Sequence, residues 1–495
     1  MLSPEEIKQF IDEDAASDKK KFARIGQAYY EGDHDIKFYR LFYYNTDGIL
    51  VEDTTRSNVK IQHPFFTENV DQLVQYILSG NDKFIKSDDP DLQAELDYYF
   101  NENEDFISEL SDMLTGVVAK GFDYMHSYKN ADDRTAFEWS DSIGIVEVRA
   151  KDTDKNTDHV IYWYIDRIDK GKKKIKRIQV WDSKVVEYFV QTDEGEIEKD
   201  TSEKINPKPH TLYQAEGTEE IEYEDFGFIP FFRLDNNRKQ HSGLKVIKEL
   251  IDDYDIHACS LSNNLIDFDT PLHVVKGFEG DNLDELQQNL KTKKVVGVDS
   301  EGGIEVHTVQ IPYQARQAKL ELDEKNIYRF GMALNTNGLK DTNATTNIAI
   351  KMAYSLLDLK AYKLTIRLKQ FLRKLLKVVL DEINAIHKTD YQQKDVYFNF
   401  EPEIMTNELE NAQIKKYEAD TRQVEITVIL NVATLIGDEE ALKLICEQLD
   451  IDFNDVKGQL KLLKDDHSTG AASAILEGVV PDDEAIETGD SEAAE

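Results

Sequence analysis

The chain has 495 residues, 40% of them hydrophobic and 10% aromatic, with 97 acidic against 59 basic residues and a formal net charge of -38. That length exceeds what one hydrophobic core usually serves, so about two to four domains are expected, and the 23 Tyr and 23 Phe exclude a largely disordered chain. The excess of acid excludes a protein that wraps nucleic acid through its general surface, because such binding comes from Lys and Arg displacing counterions; ordinary solubility and a polyanion that slides past without sticking both remain compatible with it.

Only Cys259 and Cys446 are present, far apart and outside any CxxC pairing. Neither a disulfide framework nor a thiolate metal site is expected, and a reducing cytoplasm fits. The first residues lack a basic stretch followed by an apolar run, and nowhere are 18 consecutive residues apolar, so neither a signal peptide nor a membrane span is expected.

Residues 1 to about 130 read as mainly helical. Ser3, Pro4, Glu5 and Glu6 open a helix, with Ser as the cap, Pro in the first turn and acids at the positive end of the dipole. The run 66–78 sets Val70, Leu73, Val74, Ile77 and Leu78 on one helical face and stops at Ser79 and Gly80; 106–118 repeats the pattern before Gly121. From about 121 to 233, β-type runs at 143–149, 159–165, 175–181 and 185–190 are separated by charged turns, which predicts an antiparallel sheet. The basic run 170–177 reads as a solvated hairpin.

Helical spacing returns over 243–266, with an acidic exposed side. A compact α/β insertion follows at about 267–311, with strands at 272–276, 294–298 and 304–309 and a short helix at 282–290. Pro312 precedes a helix reaching to 334. A short polar loop comes next: Asn335, Thr336, Asn337, Gly338, Leu339, Lys340, Asp341, Thr342 and Asn343. The segment 345–386 has neither Gly nor Pro, and Thr345, Thr346 and Asn347 offer oxygens to cap its start. Its apolar residues Ala349, Met352, Ala353, Leu356, Leu364, Leu368, Phe371, Leu372, Leu375 and Val379 mostly fall three or four apart, which predicts one buried face. Such a rod, roughly 60 Å long, either braces an assembly or forms the strut of a large core. Beyond 387 a strand at 396–400 and helices near 406–435, 438–449 and 454–463 are expected. After Lys464 no Lys or Arg occurs, and the acidic tail reads as disordered.

Motifs for chemistry are sparse. The chain has no GxxxxGK[ST], HExxH or GxSxG. Asp33, His34 and Asp35 after Gly32 hint at a divalent-metal site for phosphoester chemistry, but a Gly-Asp turn explains them as well. Asp267 and Asp269 are a second carboxylate pair, beside the turn-forming Pro271. Neither is assigned to catalysis; no catalytic residue, metal or cofactor is expected.

The segment Tyr29-Tyr30-Glu31-Gly32-Asp33-His34-Asp35-Ile36, the stretch from Asn58 to Asp71 with Tyr76 to Gly80, and the order helix, insertion, helix, loop, long helix resemble the portal proteins of tailed bacteriophages with Gram-positive hosts. The resemblance covers most of the chain up to about Ala385. It implies an α+β, mainly helical fold with wing, stem, clip and crown regions, and a closed ring, typically of about twelve subunits, at the single capsid vertex through which double-stranded DNA passes. By this resemblance 1–242 with part of the long helix form the wing. Residues 243–266 and 312–334 form the stem, 267–311 the clip, 335–343 the tunnel loop beside the DNA, 344–386 the long helix of the wing, 387–464 the crown and 465–495 the acidic tail. In the tunnel loop the Asn and Thr side chains offer short hydrogen-bonding groups, Gly338 gives backbone freedom, and Lys340 touches phosphate transiently. The implied partners are further copies of the chain, double-stranded DNA, the terminase that supplies the ATPase, a head-completion or adaptor protein, and capsid and scaffolding proteins, with no membrane; the implied place is the virion, after assembly in the host cytoplasm. Two other classes stay open on the residues alone: a metal-dependent phosphoesterase or nuclease around Asp33, His34 and Asp35, and an acidic cytoplasmic adaptor.

Overall fold

The computed structural model describes residues 2–80, 83–151, 156–168, 170–192, 195–214, 221–268, 272–276, 303–307, 312–336, 347–400, 402, 408–449 and 453. Chain contacts divide it into two compact units, Met1–Met405 and Thr406–Glu495.

The first unit begins with α1 (Pro4–Ala16) and α2 (Asp18–Tyr30). Ser3 and Glu6 form a reciprocal capping box at the start of α1, and Ser17 caps α2. A two-stranded hairpin, β1 (Phe42–Tyr44) and β2 (Leu50–Glu52), precedes α3 (Phe65–Leu78), β3 (Ile85–Ser87), α4 (Pro90–Leu96) and α5 (Glu104–Lys120). Asn103 caps α5 and Gly121, at φ +102°, ends it. The crossing of α2 and α5 is close at Gly26, where a Cβ would lie 2.0 Å from the Ala119 carbonyl oxygen.

Two sheets follow. In the smaller, β14 (Phe231–Asp235), β4 (Phe122–Lys129) and β5 (Thr135–Ser140) pair antiparallel in that order. The larger runs β10 (Ile197–Lys199), β9 (Val185–Thr192), β8 (Lys173–Trp181), β7 (His159–Ile168), β6 (Ile145–Val148), with β11 (Lys208–Pro209) also paired to β9. The basic run 170–177 lies on the β7–β8 hairpin, with 170–172 in its turn and 173–177 in β8. Period-two alternation gives this sheet two buried faces. Ile161, Ile178, Val180 and Phe189 pack under Ile7 and Ile11 of α1, while Val160, Trp181 and Val186 meet Phe122 and Tyr124 of β4. Buried charges join helices to sheets. Lys20 donates to the carbonyls of Ser142 and Ile145 and pairs with Asp14 at 3.0 Å. Lys120 pairs with Asp123 at 2.8 Å and Asp141 at 2.6 Å, and burial still holds the Asp123 carboxyl up at about 6.

Beyond a short hairpin, β12 (Thr211–Gln214) with β13 (Ile221–Glu224), the chain enters α6 (Lys248–Phe268). The strands β15 (Leu272–Lys276) and β16 (Gly303–His307) pair antiparallel; the helix expected at 282–290 and the strand at 294–298 lie outside the described residues. Then comes α7 (Tyr313–Gly331), which packs against α6. It ends three residues before the expected 334, because Met332 turns left-handed at φ 54° and ψ 46°, and the amide of Ala333 returns to the Tyr328 carbonyl.

The long segment is one helix, α8 (Asn347–His387), 41 residues in length. Its second half is buried as expected, through Leu364, Leu368, Phe371, Leu372, Leu375 and Val379, in the core that also holds α3 and α5. In its first half the expectation holds for Ala353, which packs against that core, and fails for Met352 and Leu356. Tyr354, Leu357 and Ala361 face the core, whereas Met352 is 71% exposed and Leu356 is exposed too. That half carries apolar residues on two opposite sides, so spacing alone did not single out the packed stripe. A strand β17 (Val396–Phe398) pairs with β3. In the second unit α9 (Glu408–Ile436) and α10 (Asp438–Leu449) meet at Gly437, whose φ is +91°; the helix expected at 454–463 and the tail lie outside the described residues. No described helix is long and apolar enough to cross a membrane.

Candidate functional site: the root of the polar loop

Of the nine loop residues singled out above, Asn335 and Thr336 are described, the first half-buried and the second exposed; Asn337, Gly338, Leu339, Lys340, Asp341, Thr342 and Asn343 lie outside the described residues. What the structure places is the root from which this loop springs.

The root is held by a different part of the chain. Gln72, on α3, grips the backbone of Leu334 with both ends of its amide. The Leu334 N–H donates to Gln72 Oε1 at 2.9 Å, and Gln72 Nε2 donates to the Leu334 carbonyl at 3.1 Å. One turn earlier on α3, the Glu68 carboxylate accepts from the Tyr328 hydroxyl of α7. Lys360 of α8 donates to the Gly331 carbonyl at 2.7 Å, satisfying an acceptor that the end of a helix leaves without an intrahelical partner. Gly331 itself has no room for a side chain, since a Cβ would lie 2.5 Å from Asn69 Nδ2. Asn69 is buried, and neither of its side-chain polar atoms has a hydrogen-bond partner among the described residues. Three helices therefore converge on residues 331–334 through polar contacts, and such contacts fix geometry more sharply than apolar packing does.

Burial pushes the Lys360 ammonium down to about 8 from the ordinary 10.5. Between these two values the unfolded chain binds more protons than the folded one, so Lys360 makes stability rise with pH over that window. The expected result is that wild type gains on Lys360→Met as pH goes from 8 to 10, in paired urea denaturation curves. A difference that stays flat, or shrinks, would show that the ammonium is not buried.

The α6 and α7 pair carries its own polar links. Lys319 sits between Asp253 and Asp323, and Arg316 donates to the Ser260 hydroxyl at 3.4 Å. At the other side of α6 lies the candidate metal cluster, and it does not converge. His34 is fully buried, stacked on Tyr29 with ring centroids 4.5 Å apart, and its Nδ1 lies 2.7 Å from Asp255 Oδ2. The other Asp255 oxygen lies 2.7 Å from His63 Nδ1 and accepts from the His63 amide at 3.1 Å. Asp33 pairs instead with Lys37, and Asp35 with Lys248. Asp267 accepts from the Ser57 amide at 3.1 Å, while Asp269 is outside the described residues. Among the described residues no group of three or more His, Cys, Asp or Glu side chains is placed to hold a metal ion. These residues fasten the 29–63 segment to α6.

Reading the sequence missed Gln72, Asn69 and Lys360. The one available signal was polarity at an apolar register: Asn69 interrupts the face of α3 that buries Phe66, Val70 and Leu73.

The family model described as phage portal protein, SPP1 Gp6-like, matches residues 10–451. The chain is 25% identical over 464 residues to the portal protein of Bacillus phage SPP1, covering 91% of this chain and 89% of that one. It is 28% identical over 294 residues to the portal protein of Clostridium phage phiCD119, covering 55% of this chain and 63% of that one. The fold is thus that of a mixed α and β structural protein of bacteriophages. The chain belongs to the SPP1 Gp6-like family of phage portal proteins.

Proposed function

We propose that copies of this chain close into a ring at one capsid vertex, of about twelve as the likeness to phage portal proteins implies, and that double-stranded DNA enters and leaves through its centre. The role is structural and not enzymatic. The observation that carries this reading is the family match over residues 10–451, joined to a long helix and an α6–α7 pair that meet at a rigidly held loop root. In this assembly 1–242 and 344–386 form the wing, 243–266 and 312–334 the stem, 267–311 the clip, 387–464 the crown and 465–495 an acidic tail. The clip meets the terminase during packaging and a head-completion protein afterwards; capsid and scaffolding proteins surround the wing, and the finished ring resides in the virion.

Residues 335–343 are the part of each subunit that meets DNA. With a single Lys per loop, each contact is weak, and a ring of weak contacts guides a polyanion without trapping it. Shortening the loop around Gly338 is expected to lower the amount of DNA packaged per capsid while leaving rings visible in negative stain. Loss of the rings themselves would contradict that division of roles, and unchanged packaging would remove the loop from the DNA path.

A further inference from the structure

Two apolar surfaces of the first unit are exposed among the described residues. One is the ribbon of β1 and β2, all six of whose residues are exposed. Tyr43 pairs with Val51 and Tyr44 with Leu50, so neighbouring pairs present apolar groups on opposite faces of the ribbon. Its tip is well formed: Asn45 Oδ1 accepts from the amides of Asp47 and Ile49 at 3.0 and 2.9 Å. A two-stranded ribbon is at best marginally stable in water, and one with apolar side chains on both faces needs something laid against it.

The other is the first half of α8. Met352, Leu356, Leu359 and Ile366 recur at steps of four, three and seven, the spacing of a coiled-coil seam, and all four are exposed. At 3.6 residues per turn this stripe lies across the helix from Tyr354, Leu357, Ala361 and Leu364, which face the core. A helix apolar on two opposite sides has two partners, and the chain's own core is one of them.

The two surfaces also match in charge. Between 347 and 380 the helix carries one acid, Asp358, and in a chain of net charge -38 its outer side is basic, with Lys351 and Lys363 exposed beside the stripe. The ribbon segment 40–53 has Arg40 against Asp47, Glu52 and Asp53, with Asp47 at the tip. Opposite local charge favours this pairing and its register, whereas a nucleic acid would leave the apolar stripe uncovered.

We propose that the β1–β2 ribbon of one copy docks on the Met352, Leu356, Leu359 and Ile366 stripe of α8 in the next copy. A contact between two different patches is heterologous, and repeated around an axis it closes a ring. The inference rests on the ring reading above, and the test separates the two. Tyr44→Cys chains and Leu359→Cys chains, assembled together and treated with a short bis-maleimide, give a covalent dimer joining one of each; chains of either kind alone do not, Cys259 and Cys446 being buried. The double variant gives a ladder of covalent multimers. Rings in negative stain without a ladder overturn the docking and leave the ring intact; no rings under any condition sinks both. A second measurement does not rely on cysteines: Lys363→Glu lowers ring yield at least several-fold, and Asp47→Lys added to it restores the yield. Duplex DNA binding lost on Lys363→Glu, with ring yield unchanged, assigns the basic side to DNA and also overturns the proposal.

Discussion

Asp255→Ala is expected to lower the free energy of unfolding by about 3–5 kcal/mol, the range for removing one member of a buried charged cluster. Asp255 is fully buried and both its oxygens are used, one by His34 and the other by the ring and amide of His63. Without it, His34 loses its hydrogen-bond partner at Nδ1, and its Nε2 already has none among the described residues. The α2 end and the extended segment 57–63 leading to α3 would both loosen from α6. Asp255→Asn costs less, since an amide keeps one acceptor and is nearly the same size. Burial pushes the Asp255 carboxyl up, but the hydrogen bonds and charges of His34 and His63 outweigh it, and its value falls below the ordinary 3.8. The stability it supplies is therefore present at neutral pH and is lost as pH falls below about 4 through that lowered value. Urea denaturation at pH 7 and pH 3.5 reads both effects: a loss under about 1 kcal/mol at pH 7, or a gap between wild type and Asp255→Ala that fails to narrow in acid, would refute the role given to Asp255.

Leu368→Asp is the second large effect. Leu368 has no exposed surface and lies among α8 residues in the main core. The substitution removes a buried leucine, worth about 2–5 kcal/mol as a cavity, and puts a carboxylate among buried apolar side chains, which adds to the cost. The expected outcome is no soluble folded chain at 37 °C, or a melting temperature lowered by 10 degrees or more on the scale of about 2–4 degrees per kcal/mol for a large domain. The control is two residues away. Ile366→Asp, on the exposed stripe, is expected to leave the monomer's melting within the spread of surface substitutions, about 0.5 kcal/mol. Equal damage from both variants would mean that the Ile366 side of α8 is buried in the monomer as well.

These two residues also mark where reading the sequence succeeds and where it stops. The existence of α8 and its ends, within two or three residues, were legible, because a run of some forty residues without Gly or Pro has little choice of local structure. The buried side of its second half was legible too, since charge fills the opposite side. In its first half Met352 and Leu356 looked like core and are exposed, because two apolar stripes share one helix and spacing cannot tell which one meets its own chain. The overlong expectation for α7 has a similar origin: nothing local marks Met332 as left-handed, and Gln72 and Lys360 hold the backbone there from elsewhere.

The candidate site follows the same rule. The family was legible from ordered segments of the first 385 residues, while of the polar stretch 335–343 only Asn335 and Thr336 are described. The grip of Gln72 on Leu334 was not legible, since the two are 262 positions apart. His34 and its neighbours looked like metal ligands by type, and the fold turned Asp33, His34 and Asp35 toward three different partners. By itself the sequence determined most of the described helices, the strands β6 to β9, the acidity and the lack of nucleotide-binding and hydrolase motifs, all set by composition and by periodicity over a few turns, whereas β1 and β2 fall in a stretch that read as mainly helical. Only the tertiary structure decided which apolar stripe is core, which carboxylates are structural and what anchors the loop, because those depend on groups far apart in the chain being brought within hydrogen-bonding distance.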